Sequence, residues 1–189
     1  MFALQTILTG VFMKTPKFVI ALVTLFSFAA MSAEPVKAPA GPTDAQIAAI
    51  VVTANNVDVE AGRVAKNKTK NKEVKKFAQQ MITDHTSVNK SATDLVTKLK
   101  VAPEENDTSR SLKKGGDDNL ANLKNLKGKA FDKAYVDHEV AYHQAVIDAL
   151  DKTLIPSARN EELKALLVKV RPAFVAHLEH AQHIQSTLK

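Results

Sequence analysis

The stretch Val74-Lys75-Lys76-Phe77-Ala78-Gln79-Gln80-Met81-Ile82-Thr83-Asp84-His85-Thr86-Ser87-Val88 decides the fold. Its apolar row continues as Val74, Ala78, Met81, His85, Val88, Ala92, Leu95 and Leu99, in alternating steps of four and three. That is the repeat of a helix packed along a bundle seam. His85 stands where the repeat asks for an aliphatic side chain. A buried imidazole needs partners for both ring nitrogens, and imidazole is also the commonest metal ligand.

Outward from this helix the pattern stays helical, with no convincing strand. Upstream, Thr43-x-x-Gln46 is a capping-box match that opens a helix carrying Ile47, Ile50, Val51, Ala54, Val57, Ala61, Val64 and Ala65. The basic run Lys66–Lys72 reads as the turn between these first two helices. A run of this kind is usually solvated; it is also the one place where a weak membrane or anionic-polymer contact is suggested. Pro103 closes the second helix.

Downstream, two seams share a third helix: Phe131-Tyr135-His138-Tyr142-Ala145-Ala149 and Val136-Val140-His143-Ile147-Leu150-Leu154. Asn160 opens a fourth, with Leu163, Leu167, Val170, Phe174, His177, Ala181, Ile184 and Leu188 on the same spacing. Pro172 within it predicts a kink. Residues 101–129 form a long connection between the second and third helices, with a short helix predicted near Asp117–Leu126. Bundle connections usually run about 2–8 residues, so this one either loops freely or traverses the bundle, as in ferritin-like folds with one crossover.

The six histidines all lie on these helices. At 1.5 Å per residue, a traversing connection brings Glu60, Met81, His85, His138, His143, His177 and His180 into one slab about 10 Å thick. Without it His138 and His177 fall to about 27 Å from the turn and the group disperses. His85, His143 and His177 interrupt apolar seams. His138 lies on a weaker, aromatic-flanked stripe, and His180 and His183 flank the seam of their helix. Glu60 sits at the edge of the first helix's apolar stripe, where a solvent-facing charge is the ordinary reading. Met81 lies four residues before His85, and Asp84 is placed to orient an imidazole.

Composition excludes several classes. The chain has 26 Lys and Arg against 20 Asp and Glu, and no cysteine or tryptophan. A modest positive balance with 5% aromatics gives no nucleic-acid interface. Zero cysteine removes disulfides, thiolate metal sites and thiol catalysis together. Residues 1–33 read as a secretory signal, with Met13-Lys14-Thr15-Pro16-Lys17 as its basic start, Phe18–Met31 as its apolar core and a small-residue end at Ala33. Met13 opens a better signal than Met1; an uncleaved anchor is the alternative. Residues 34–42 then form an extended, disordered mature N-terminus, and residues 43–189 the bundle domain. The expected location is the periplasm or outside the cell, with outer-membrane association as a variant.

Together, Val59-Glu60-Ala61-Gly62, Lys75-Lys76-Phe77-Ala78-x-x-Met81-Ile82-x-Asp84-His85, Phe131-Asp132-x-x-Tyr135-x-x-His138 and Pro172 followed by His177 carry a resemblance. Over about residues 44–186 the chain resembles the bacterial domain of unknown function 4142 family, labelled periplasmic or outer-membrane. The resemblance implies a ferritin-like four-helix bundle and brings no activity with it.

The fold expectation is therefore all-α: a ferritin-like four-helix bundle with a long connection between its second and third helices. Ferritin-like di-iron sites need Glu-x-x-His pairs on two helices. None occurs here; the fourth helix offers His177-x-x-His180 instead. The set Glu60, His85, His138, His143 and His177, with Met81, Asp84 and His180 in a second tier, suits mononuclear copper or zinc better. The competing reading is a structural or stress-related envelope protein whose histidines form only a hydrogen-bond network. No enzyme motif stands out.

Overall fold

The computed structural model describes residues 41–188, so the signal-like segment and residues 34–40 lie outside the described residues. Among the described residues there are six α-helices and no strand. They are α1 (Asp44–Lys68), α2 (Lys72–Lys98), α3 (Asp107–Asn125), α4 (Gly128–Ala149), the three-residue α5 (Ile155–Ser157) and α6 (Glu161–Thr187), with a π-helical turn at Leu150–Leu154 leading out of α4. No described helix is long and apolar enough to cross a membrane.

Local chemistry sets most of the helix starts. Thr43 and Gln46 form the capping box on α1, and the Asn71 and Asn160 side chains accept the first free N–H groups of α2 and α6. The basic segment is shorter as a loop than the sequence suggests. Helix α1 runs on to Lys68, and only Thr69–Asn71 separate it from α2. Lys68 donates to the carbonyls of Leu123 and Lys124 at the end of α3, at 2.6 and 2.7 Å. A cation there complements the helix dipole.

The long connection is mostly one helix rather than a short one near Asp117–Leu126. Asn106 and Ser109 make a second capping box. Asn106 also reaches the Gln46 carbonyl beside the start of α1, while the last carbonyls of α3 meet Lys68 at the end of α1. Thus α3 runs parallel to α1 and carries the chain the length of the bundle. The helix continues through Gly115-Gly116, where Gly116 is a contact residue. A Cβ there would come within 2.7 Å of Val57 Cγ2.

The traverse returns the chain to the Thr69 end, where the Thr69 hydroxyl donates to Asp132 at 2.5 Å. Helix α4 then runs parallel to α2, and α6 returns antiparallel, starting where Asp44 accepts from the Arg159 and Asn160 N–H groups. Helix α6 continues on both sides of Pro172, which lies on its exposed face. This is a four-helix bundle of α1, α2, α4 and α6 with one long crossover.

The core is in two parts. Near the Thr43 end, Ile47, Ile50, Val51, Leu150, Leu163, Leu167 and Phe174 cluster. Near the Thr69 end, Val74, Phe77, Met81, Leu123, Phe131, Tyr135, Val136 and Ile184 cluster. Between them lies a buried polar layer.

Candidate metal centre

The polar layer takes one or two residues from each bundle helix: Asn55 and Asp58 from α1, His85 from α2, Glu139 and His143 from α4, and His177 from α6. Counted from the Thr69 end of each helix, they lie about 15–22 Å along the bundle, which is why they share a level. All six are at most 2% exposed.

Three imidazoles form a triangle. Ring centres are 5.5 Å apart for His85 and His143, 5.2 Å for His85 and His177, and 5.4 Å for His143 and His177. One nitrogen from each ring lies within 4.8 Å of the other two.

The surrounding acceptors fix each ring's tautomer. Asn55 donates its amide to the Val51 carbonyl at 2.8 Å, which turns its own oxygen toward His85 Nδ1 at 2.7 Å. His85 must therefore carry its proton on Nδ1. His143 Nδ1 faces the Glu139 backbone carbonyl at 3.0 Å, and His177 Nε2 faces the Asp84 carboxylate at 2.9 Å, so both of these nitrogens donate. The remaining nitrogens, His85 Nε2, His143 Nε2 and His177 Nδ1, are buried without a hydrogen-bond partner. Each is a buried lone pair without a donor. An N–H held by an outer acceptor with the opposite nitrogen free is the arrangement of metal-ligating histidine.

Two carboxyls adjoin the triangle. Asp58, Glu139 and His143 form a second group whose ligand atoms lie within 4.8 Å of one another. Asp58 Oδ2 is 3.5 Å from His85 Nε2, and the Glu139 carboxyl lies against the Asp58 carboxyl and the Tyr135 hydroxyl, the partners within reach of its proton. Burial pushes the Glu139 carboxyl up to about 8. Asp58 is raised well above the usual carboxylate range by burial and then by the neighbouring Glu139 charge. Among the described residues no lysine or arginine is buried. Burying carboxyls without a counter-charge is costly, and the group responds by holding its proton.

The imidazoles move the other way. Burial, followed by the neighbouring His177, lowers His143 to about 4, and burial lowers His85 well below its ordinary value. His177 is lowered by burial, against the opposing pull of Asp84. Near neutral pH all three rings are uncharged, the form that binds metal.

The structure brings His85, His143 and His177 together, with Asp84 in the orienting position. It does not bring Glu60, His138 or His180 into either donor group. Glu60 is exposed on the other face of α1, and the inward carboxyl of that helix is Asp58. His138 is half-buried and stacks on Tyr142 at 5.4 Å. Met81 is fully buried in the apolar cluster of the Thr69 end. His180 lies edge-on to Phe77 at 5.2 Å and faces Gln80. His183 is exposed.

Sequence reasoning missed Asp58 and Glu139. Glu139 belongs to a row at steps of four, Phe131-Tyr135-Glu139-His143-Ile147, every member of which is buried. Asp58 follows Asn55 by three and precedes Gly62 by four, again on a buried row.

A ferritin-like di-iron set draws a Glu from each of two helices and a Glu-x-x-His pair from each of the other two. Here Glu139 precedes its histidine by four residues, and α2 and α6 contribute imidazoles only. The donors present fit one metal ion held by nitrogen, with carboxyls beside it.

A crossover-connected helical bundle with a mixed imidazole and carboxyl layer is thus the class the fold and site define. The sequence model of the family described as domain of unknown function (DUF4142) matches residues 29–184, and the chain belongs to that family. No curated protein and no solved structure matches it.

Proposed function

We propose that this protein is an exported bundle that binds a single transition-metal ion through His85 Nε2, His143 Nε2 and His177 Nδ1. The observation that carries the reading is the set of three buried, partnerless ring nitrogens on three helices, each opposite an N–H already engaged by an acceptor. A pure hydrogen-bond network would pair these atoms, since leaving a buried polar atom unpaired costs about 1–3 kcal/mol. Asp58 and Glu139 support the same reading. A divalent cation would offset their buried charge, and either could complete the coordination. Three imidazoles favour copper or zinc, and an added carboxylate keeps zinc within its usual ligand set. Export rests on the signal-like residues 1–33.

The test is metal analysis of protein purified without chelating resin, followed by copper and zinc titration of wild type, His85→Ala, His177→Ala and Asp84→Asn. Asp84→Asn should weaken binding about 10–100-fold by loosening the His177 ring. The two alanine variants should weaken it further. Metal at 100 times its Kd should stabilise wild type by about 2.7 kcal/mol. Wild-type titration curves in both alanine variants would sink the metal reading and leave the hydrogen-bonded structural protein.

A further inference from the structure

Charge is distributed unevenly along the bundle. Around the α1–α2 turn Lys66, Lys70, Lys72, Lys75 and Lys76 are all exposed. Around the α3–α4 turn Lys124, Lys127, Lys129 and Lys133 are exposed too. Tertiary contacts join the two turns into one basic end. Lys68 donates to the carbonyls of Leu123 and Lys124 and lies 5.1 Å from the centre of the Phe131 ring, while the Thr69 hydroxyl binds Asp132. Glu73 is the one exposed carboxylate in residues 66–76 and 124–133, since Asp132 is buried. In the rest of the described chain acids outnumber lysines and arginines.

Pairing differs as well. Elsewhere many lysines are neutralised by a carboxylate, as in Lys90–Asp94, Lys98–Glu162 and Lys113–Asp117. Among the described residues of the basic end, only Lys133 has such a partner, Asp137. Helix dipoles account for part of the arrangement. Lys66, Lys68 and Lys124 sit in the last turns of α1 and α3, where a cation is favoured. Lys72 and Lys129 sit in the first turns of α2 and α4, and Lys127 precedes α4, where a cation is disfavoured. Helix α4 has no acid in its first turn and no side-chain cap, so no side chain answers its leading N–H groups. Cations that repel one another at positive helix ends are unfavourable in the isolated protein and favourable against an anion.

The chemistry of this end selects the anion. Neither segment contains an arginine, whose fork binds single phosphates bidentately; lysine ammoniums act instead as hydrated point charges. The aromatic residues here, Phe77, Phe131 and Tyr135, are buried, so no ring is offered to stack on a base. An extended sheet of negative headgroups matches such a spread of lysines. We propose that the Thr69 end docks by electrostatic contact on the surface of a membrane containing anionic phospholipid. The inference goes beyond the metal reading and uses none of its donors, so either can fail while the other stands.

Vesicle sedimentation of the full chain tests it, with vesicles of phosphatidylcholine alone and of equal parts phosphatidylcholine and phosphatidylglycerol. The ratio of the two partition constants cancels uptake by the apolar residues 18–31, which is common to both. Three triple variants remove the same charge from different places. Lys72→Gln/Lys75→Gln/Lys76→Gln and Lys124→Gln/Lys127→Gln/Lys129→Gln lie at the basic end, and Lys100→Gln/Lys164→Gln/Lys169→Gln lies outside it. Circular dichroism checks that each is folded. A lysine near an anionic surface contributes about fivefold to binding, so each basic-end triple should lower the ratio about tenfold or more. The third triple should stay near wild type, and added salt should lower the wild-type ratio. The proposal is overturned if wild type shows no excess on the anionic vesicles, or if the third triple lowers the ratio as much as the other two. It is equally overturned if dextran sulfate binds the protein while the anionic vesicles do not, which would make this end a polymer site.

Discussion

On the Thr69 side of the histidine layer, Phe77, Phe131, Tyr135 and Met81 are at most 1% exposed, and Phe77 and Tyr135 meet edge to face at 6.2 Å. Gly62 helps α1 and α2 close on each other there, since a Cβ at that position would lie 3.0 Å from the Ala78 carbonyl oxygen. On the Thr43 side the helices are the same four, but α1 and α4 face each other with Ala54, Ala145 and Ala149, and a cavity of about 530 Å³ remains between them. Both ends are apolar; side-chain size separates them. One end is packed for stability, and the other keeps a space that small residues cannot fill. The polar layer divides the two, and its unpartnered atoms are sealed inside it.

The largest expected effect comes from truncating an aromatic residue on each side. Phe77→Ala should cost about 3–5 kcal/mol, because dense packing leaves a full cavity behind. Phe174→Ala should cost less, since that ring already borders open space on one side. Urea unfolding of both variants gives the comparison; equal losses would mean that the two ends pack alike.

The next is a pH effect that belongs to the layer itself. In the metal-free protein Glu139 keeps its proton up to about pH 8, whereas the unfolded chain releases it near 4.5. Stability from this group therefore falls as pH rises through that interval. The imidazoles act in the opposite sense: His143, at about 4 in the fold against 6.5 outside it, raises stability with pH until 6.5 is reached. His85 and His177 shift in the same direction. Metal-free protein should thus be most stable near pH 6.5 and lose stability toward pH 8. Glu139→Gln should flatten that decline, although Asp58, shifted the same way, leaves part of it. Urea midpoints at the two pH values measure it, and an unchanged slope in the variant would count against a protonated Glu139.

The smallest effect tests whether the space is kept at the expense of stability. Ala149→Val adds two methyl groups to the cavity and should stabilise by about 0.5–2 kcal/mol, as cavity-filling substitutions commonly do. A destabilised but folded variant would place the wall under tighter packing than the cavity volume implies.

Much of this was legible from residue order. His85, His143 and His177 were marked by interrupting apolar seams, and their common level followed from helix rise plus a connection long enough to traverse. Asp84 was legible as the neighbour of a seam histidine. Glu60 draws attention in the sequence because it lies three residues after Val57 and four before Val64, whereas Asp58 sits directly beside Val57 and gives no such signal. Residues two apart on a helix point about 200° apart, so only one of Asp58 and Glu60 can face the bundle interior, and packing against the other helices decides which. Glu139 fell between two seams drawn on either side of it. The full length of α3 was not legible, because Gly116 serves contact with Val57 and nothing in the local sequence signals that contact.

The order of residues by itself determined that this chain forms capped amphipathic helices and carries imidazoles in three of their apolar seams, because periodicity and capping act within a few residues. Only the tertiary structure decided which carboxyls join them, which ring nitrogens stay free, and that a cavity opens beside the layer. Those properties depend on how each helix is rotated against its neighbours, and that rotation is set by side chains distant in sequence.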